Sequence, residues 1–196
     1  MDFGIDFESP EAPKFYVFDF DQTILRIHSY GSRIKAHDVA RRNLSEDVAD
    51  KEFFQQFVAS ARHAGSSVAV ASFGEYQVIQ NYLDLITPNV FDRTNVCTPS
   101  CVGGKDGYTV PEGKVPMMEH LIRNVLNQSP EEIKARTVLF DDQPDNIERA
   151  QRSGYIACFT PDAFTRQAWP SIREFLPKSI HRGSNGVKSW ASVIKH

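Results

Sequence analysis

Apolar residues fall into two rhythms along this chain. Four short runs are apolar without alternation: 15–18 (Phe-Tyr-Val-Phe), 68–71 (Val-Ala-Val-Ala), 137–140 (Thr-Val-Leu-Phe) and 155–159 (Tyr-Ile-Ala-Cys-Phe). Such runs are too short for buried helices and rich in aromatic and β-branched residues, so they predict strands covered on both faces. Between them the apolar positions recur at helical spacing. Phe53, Phe54, Phe57, Val58 and Ala61 predict a helix over 52–63, with Gly65 suited to the position just past its end. Further helices are predicted over 75–86, stopping before Pro88, and over 115–126, with Met118, Leu121, Ile122 and Val125 inward. Ser129-Pro130-Glu131-Glu132 reads as a helix start with a capping box, 146–153 as a helix closed by Gly154, and 164–175 as the last helix. The stretch 88–113 is rich in Pro, Gly, Thr and Cys and predicts short strands and loops.

Strands alternating with amphipathic helices predict an α/β protein: three layers, α/β/α and Rossmann-like, with a mostly parallel sheet. The expected organisation is an acidic, loose N-terminal tail over 1–13, one domain over 14–177 and a basic, mobile tail over 178–196. No internal repeat interrupts this order.

Composition narrows the class only slightly. A chain of 196 residues can bury a sizeable core, and its formal net charge of −3 gives no overall attraction to nucleic acid or to a membrane. No apolar stretch approaches the roughly 20 residues that span a bilayer, and the acidic start does not resemble a secretory signal. Cys97, Cys101 and Cys158 are odd in number and lack a CxxC spacing, which disfavours a disulfide framework or a zinc site. Buried thiols in a reducing compartment, the cytoplasm by default, are the expectation.

The chemistry sits where apolar runs end. The first run gives way to Asp19-Phe20-Asp21, the second to Ser72 and the third to Asp141-Asp142. In a parallel sheet these are carboxyl ends of strands, where sites collect. Gathering carboxylates costs free energy, and a bound cation with hard oxygen ligands offsets it. Simpler readings stand beside this one. Ser72 could cap the helix near Glu75, and Asp142 or Asp145 could cap the helix at Asn146.

The ordered set Asp19-x-Asp21-x-Thr23, Ser72, Lys114 and Asp141-Asp142 resembles the four motifs of the haloacid dehalogenase superfamily, over roughly 15–159. The resemblance implies that Asp19 is the nucleophile, forming an aspartyl-phosphate, and that Asp21 is the general acid and then the general base. It implies Mg2+ held by Asp19, the main-chain carbonyl of Asp21 and the pair Asp141-Asp142, with Asp142 preferred as direct ligand. Thr23, Ser72, Phe73 and Lys114 make the substrate-binding set. In it Thr23 fixes the turn, Ser72 acts with a backbone N–H at the following helix start, and Lys114 neutralises charge as a point cation. Lys105 also follows a glycine, but the amphipathic helix directly after Lys114 favours the latter.

The inserts between motifs are too short for a separate cap domain, so an open cleft is expected. The segment Leu139-Phe140-Asp141-Asp142-Gln143-Pro144-Asp145-Asn146-Ile147 is similar to that of small magnesium-dependent phosphatases. The implied substrate is a phosphoprotein or a small phosphate monoester; a catalytically silent binding module and a phosphomutase are the alternatives. The basic stretch 26–42 is expected to shape the entrance through Arg33, Lys35, Arg41 and Arg42, its simpler reading being a solvated loop. With Tyr30 as its one aromatic residue it offers no stacking platform for nucleic acid.

Overall fold

The computed structural model of the chain describes residues 2–182. Five strands, β1 (Phe15–Phe18), β2 (Ser67–Ala71), β3 (Val96–Cys97), β4 (Thr137–Asp141) and β5 (Ile156–Phe159), form one parallel sheet in the order β3-β2-β1-β4-β5. Seven helices accompany them: α1 (Leu44–Asp47), α2 (Lys51–His63), α3 (Tyr76–Ile86), α4 (Val115–Leu121), α5 (Pro130–Ile133), α6 (Pro144–Arg152) and α7 (Trp169–Ile172). The three-layer α/β arrangement is the expected one, and the described strands contain no antiparallel pair.

The strand pleat explains the layers. Tyr16, Phe18, Val70, Val138 and Phe140 point to one face and join Phe54 and Phe57 of α2, Ile79 and Tyr82 of α3 and Trp169 of α7. Phe15, Val17, Ala69, Ala71 and Leu139 point to the other and meet Met118 of α4, Ile133 of α5 and Ile147 of α6. Both faces are covered, so the strand interiors carry apolar side chains on both sides, with polar residues only at the ends Ser67, Thr137 and Asp141, which is why they appear in the sequence as unbroken runs. The first face is unusually aromatic. The Phe57 ring lies 5.3 Å from Tyr16, 5.9 Å from Phe18, 5.0 Å from Phe164 and 5.3 Å from Trp169, mostly edge to face. Helix α2 starts sharply because the Asp50 carboxylate accepts the Phe53 N–H at 3.0 Å, and its Arg62 and His63 suit the negative end of the helix dipole.

Where the described residues reach the two expected tails, they are packed. Residues 2–12 are not loose: Phe3, Ile5, Phe7 and Ala12 are buried, and Phe3 stacks edge-on against Phe7, Phe57 and Trp169. The Trp169 indole donates to the Phe3 carbonyl at 2.7 Å, while Arg136 Nη2 donates to the carbonyls of Pro10 and Ala12 at 2.7 and 2.8 Å. The start of the expected C-terminal tail is packed as well. Ile5 bridges to His181, Asp6 N donates to Ile180 O at 2.7 Å, and Ile180 is buried. The rest of that tail, 183–196, lies outside the described residues. If the N-terminal segment belongs to the core, Phe3→Ala lowers stability by about 3–5 kcal/mol in denaturant titration, whereas a loose tail would lose less than about 0.5 kcal/mol.

Two helices are shorter than expected. The segment over 164–175 becomes a turn, then α7 and a 3-10 turn at Arg173–Phe175, because Pro170 can occupy only the first turn of a helix. The helix over 115–126 passes from α4 into a π turn at Ile122–Leu126, which ends at Asn127 in a left-handed conformation. In the other direction α6 begins two residues earlier than expected, at Pro144.

Candidate active site

The chain leaves β1 between β2 on one side and β4 on the other, so the carboxyl end of β1 is the point where the sheet changes direction. Phe18 is in register with Phe140, and the Asp19 N–H donates to the Phe140 carbonyl at 2.8 Å. Pairing of β1 with β4 therefore brings the first aspartate of one motif beside the aspartate pair of another. One carboxylate oxygen from each of Asp19, Asp141 and Asp142 lies within 4.8 Å of the other two.

Among the described residues, the one cation bonded to any of these three is Lys114, at the N-cap of α4, which pairs with Asp19. Its ammonium donates to Asp19 Oδ1 and, at 2.7 Å, to the Ala71 carbonyl at the end of β2, and it lies 4.2 Å from the centre of the Phe73 ring. Lys114 is 1% exposed and Asp19 6%, so this pair is dry and each charge depends on the other. Lys105, the competitor in the sequence, instead sits over the Tyr108 ring at 5.1 Å.

Burial pushes the Asp19 carboxyl well above the usual carboxylate range; Lys114 pulls it down and Asp141 pushes it up. Burial likewise raises Asp141, to about 6, against Lys114, the Asn146 amide and the Gln143 N–H, which favour its charged form. Asp142 is raised too, mainly by burial, and the Gln143 side chain opposes the rise. Three carboxylates against one ammonium leave an excess of negative charge in a low-dielectric pocket. A donor set of hard oxygens with that excess fits Mg2+ and offers nothing to a soft metal.

Within the pair, Asp142 lines the cleft and Asp141 lies fully buried behind it. Asp141 is pinned by Gln143 N at 2.8 Å and by Asn146 Nδ2, which is 3.1 Å from both of its oxygens. Asp145, in the first turn of α6, also faces the cleft, and Gln143 occupies the N-cap.

Asp21 stands apart from the carboxylate cluster. Its Oδ1 accepts the Ser29 N–H at 2.9 Å and its Oδ2 lies 3.1 Å from His28 Nδ1. Gln22 next to it has φ of 57°, in the left-handed region that residues other than glycine seldom occupy, and this reverses the chain so that 28–30 return over the aspartate. Ser72 also lines the cleft. Its Oγ accepts the Gly74 N–H at 3.2 Å, which leaves the hydroxyl proton free to donate. It is not a helix cap, since α3 starts four residues later. The first amide of α3, Tyr76 N, is directed at Asp106 Oδ2 at 3.4 Å.

Two expectations need correction. Thr23 is fully buried and does not line the cleft: its hydroxyl is 3.3 Å from Thr160 Oγ1 and its carbonyl accepts Phe164 N at 2.8 Å, so it anchors the turn and touches no substrate. The basic stretch borders the cleft through His28 and Tyr30, while Arg33, Lys35, Arg41 and Arg42 do not line it. Arg26 donates to the carbonyls of Val48 and Ala49, Arg42 binds the buried Asp47, and Lys35 lies 3.4 Å from Glu75.

The cleft measures about 680 Å³. Opposite the aspartates its wall is the loop 107–113, with Thr109, Val110 and Pro111, and Arg149 of α6 closes one side. Gly107 has φ of +86° and lies so close to Tyr30 that a methyl group there would come 2.6 Å from the ring, so the two loops meet without a cap domain. His28, Asn146 and Arg149 carry no pattern in the sequence that would have marked them. The nearest signal is Asn146 itself, five residues after the first aspartate of its pair and thus within reach once a helix starts between them.

No helix among the described residues is long and apolar enough to cross a membrane. No protein-family model and no curated protein matches the chain.

Proposed function

We propose that this protein is a magnesium-dependent phosphatase that hydrolyses a phosphate monoester through an aspartyl-phosphate on Asp19. One observation carries the reading: a buried carboxylate, bonded to a buried ammonium, clusters with two further carboxylates at a cleft that is also lined by a fourth, Asp21, held separately by backbone and imidazole. A solvated or merely structural cluster has no use for that division.

Asp19, Asp141 and Asp142 would hold Mg2+, and the resemblance of the motifs adds the main-chain carbonyl of Asp21. Bound there, the ion supplies charge neutralisation for the carboxylates and for the phosphoryl oxygens. Lys114 keeps Asp19 ionised and aims it along the end of β1. An Asp19 oxygen attacks phosphorus, the phosphorus–oxygen bond to the leaving group breaks, and Asp21 gives its proton to the departing oxygen. Asp21, now a carboxylate, takes a proton from water as that water attacks the phosphorus of the acyl phosphate. Inorganic phosphate leaves and Asp19 is restored. Ser72 donates its hydroxyl proton to a non-bridging oxygen throughout. The cleft suits a phosphate on a small organic group or on an exposed protein side chain, and three free thiols suit a reducing compartment such as the cytoplasm.

The test is turnover of a generic aryl phosphate with and without Mg2+, followed by a panel of phosphopeptides, sugar phosphates and nucleotides. Absence of magnesium-dependent turnover on every member would overturn the reading. The separate placing of Asp21 gives a sharper expectation. Asp21→Asn keeps magnesium affinity, because its carboxylate is outside the cluster, but lowers turnover by ~10²–10⁴. Calorimetric Mg2+ titration of Asp21→Asn beside Asp142→Asn checks it; equal loss of affinity in the two variants contradicts the assignment.

A further inference from the structure

A second cluster of metal-ligating side chains lies outside the aspartate site, and its chemistry is the opposite of that site's. Cys97 ends β3, Cys101 follows one 3-10 turn later in Pro99–Val102, and His120 lies in α4. The two sulfurs and one imidazole nitrogen all lie within 4.8 Å of one another. We propose that Cys97, Cys101 and His120 form a zinc site, with water or another exogenous ligand as the fourth.

Donor type argues for zinc. Two thiols and an imidazole are soft to borderline ligands that favour Zn2+ and leave Mg2+ in water. Geometry agrees. Donors around a tetrahedral zinc stand ~3.5 Å apart, so small side-chain rotations would close a cluster already within 4.8 Å. Three residues separate the cysteines, within the range of two to four found at zinc sites; only the narrower two-residue spacing is absent. Cys97 is buried while Cys101 and His120 are half-buried, which gives the ion a path in and the fourth position access to solvent.

A thiol nucleophile is the weaker alternative. Burial pushes the Cys97 thiol far above the ordinary cysteine range, with Cys101 adding to the rise, so the free thiolate is scarce. Coordination replaces the protons: two thiols and Zn2+ give two zinc–sulfur bonds and two released protons, with no oxidant needed. Occupancy would also fasten elements of the other site. The Cys97 carbonyl accepts the Ser72 N–H at 3.0 Å, and His120 rides on the helix that Lys114 begins.

The experiment strips the full-length protein with a chelator and titrates Zn2+ against a chromophoric competitor, with excess Mg2+ to keep zinc from the aspartates. The expected result is one equivalent bound, and Co2+ in its place gives a thiolate-to-cobalt charge-transfer band. Cys101→Ser and His120→Gln, at half-buried positions, each weaken zinc by more than the roughly 10–100-fold that loss of an outer hydrogen-bond partner costs, while Asp142→Asn binds as the parent does. Alkylation of the parent gives a reading independent of any variant: zinc protects Cys101 and the chelator restores its reactivity. No stoichiometric zinc, no charge-transfer band, unprotected Cys101, or variants that bind as tightly as the parent would each overturn the proposal.

Discussion

Asp19→Asn is expected to reduce turnover of an aryl phosphate by on the order of 10⁴-fold or more while the fold survives. The amide matches the carboxylate in shape, and the backbone at this position is fixed by the bond from Asp19 N to Phe140 O rather than by the side chain. Stability should fall, but by less than on loss of the cation, because Lys114 keeps the Ala71 carbonyl and the nearby charge of Asp141. The substitution loses the pairing with Lys114 but also removes one of three carboxylates that burial and mutual repulsion make costly. An amide cannot attack phosphorus, so neither half of the reaction begins. Rapid acid quench of the parent with labelled substrate should trap protein-bound phosphate, and the variant should trap none. A variant that turns over like the parent, or that still carries the label, removes Asp19 from the role of nucleophile.

The layers of this protein could be read from its sequence for a physical reason. A strand covered on both faces needs an apolar side chain at each position, and Phe15 to Phe18 or Val138 to Phe140 leave no helical alternative. The packing of residues 2–12 is harder to read, because their charges obscure an alternation. Phe3, Ile5 and Phe7 are separated by Gly4 and Asp6, an inside–outside pattern that Asp2, Asp6, Glu8 and Glu11 obscured. The apolar spacing over 164–175 suggests one long helix, but the Pro170 ring forbids a helical turn before it.

The aspartates and Lys114 were legible because each stands at the end of a strand or the start of a helix, where register dictates what meets. His28 was not. It reaches Asp21 only because the chain reverses at Gln22, a conformation that sequence spacing does not announce for a glutamine. The nearness of His120 to Cys97 and Cys101 is hidden in the sequence in the same way: the histidine comes from a helix that packs against β3, and only the fold brings it to the thiols. Thr23 was placed correctly in its turn but wrongly against substrate, since the same turn that needs its hydroxyl buries it against Thr160.

Lys114→Met should be the most damaging change to the site as a whole. The thioether fills much of the same volume, so packing against Phe73 is largely kept, but Asp19, Asp141 and Asp142 are left with no bonded cation. Breaking a buried ion pair on one side costs about 3–5 kcal/mol. The cost should depend on pH in a definite direction. These carboxyls have raised values in the folded state, Asp141 to about 6 from 3.8, so the native protein holds more protons than the unfolded chain between those limits. The stability these groups contribute is then full below about 4 and is lost as pH rises from about 4 through about 6, Asp19 extending the decline upward. Removing Lys114 takes away the main influence that lowers Asp19 and Asp141, which raises both further and steepens the decline. The deficit of Lys114→Met relative to the parent should therefore be small at pH ~4 and largest near neutrality, where added Mg2+ restores part of it. Denaturant titrations of both proteins at the two pH values, with and without Mg2+, measure this. A deficit that is constant with pH, or greater in acid, would mean that Lys114 stabilises the protein by packing and not as the counter-charge of the aspartates.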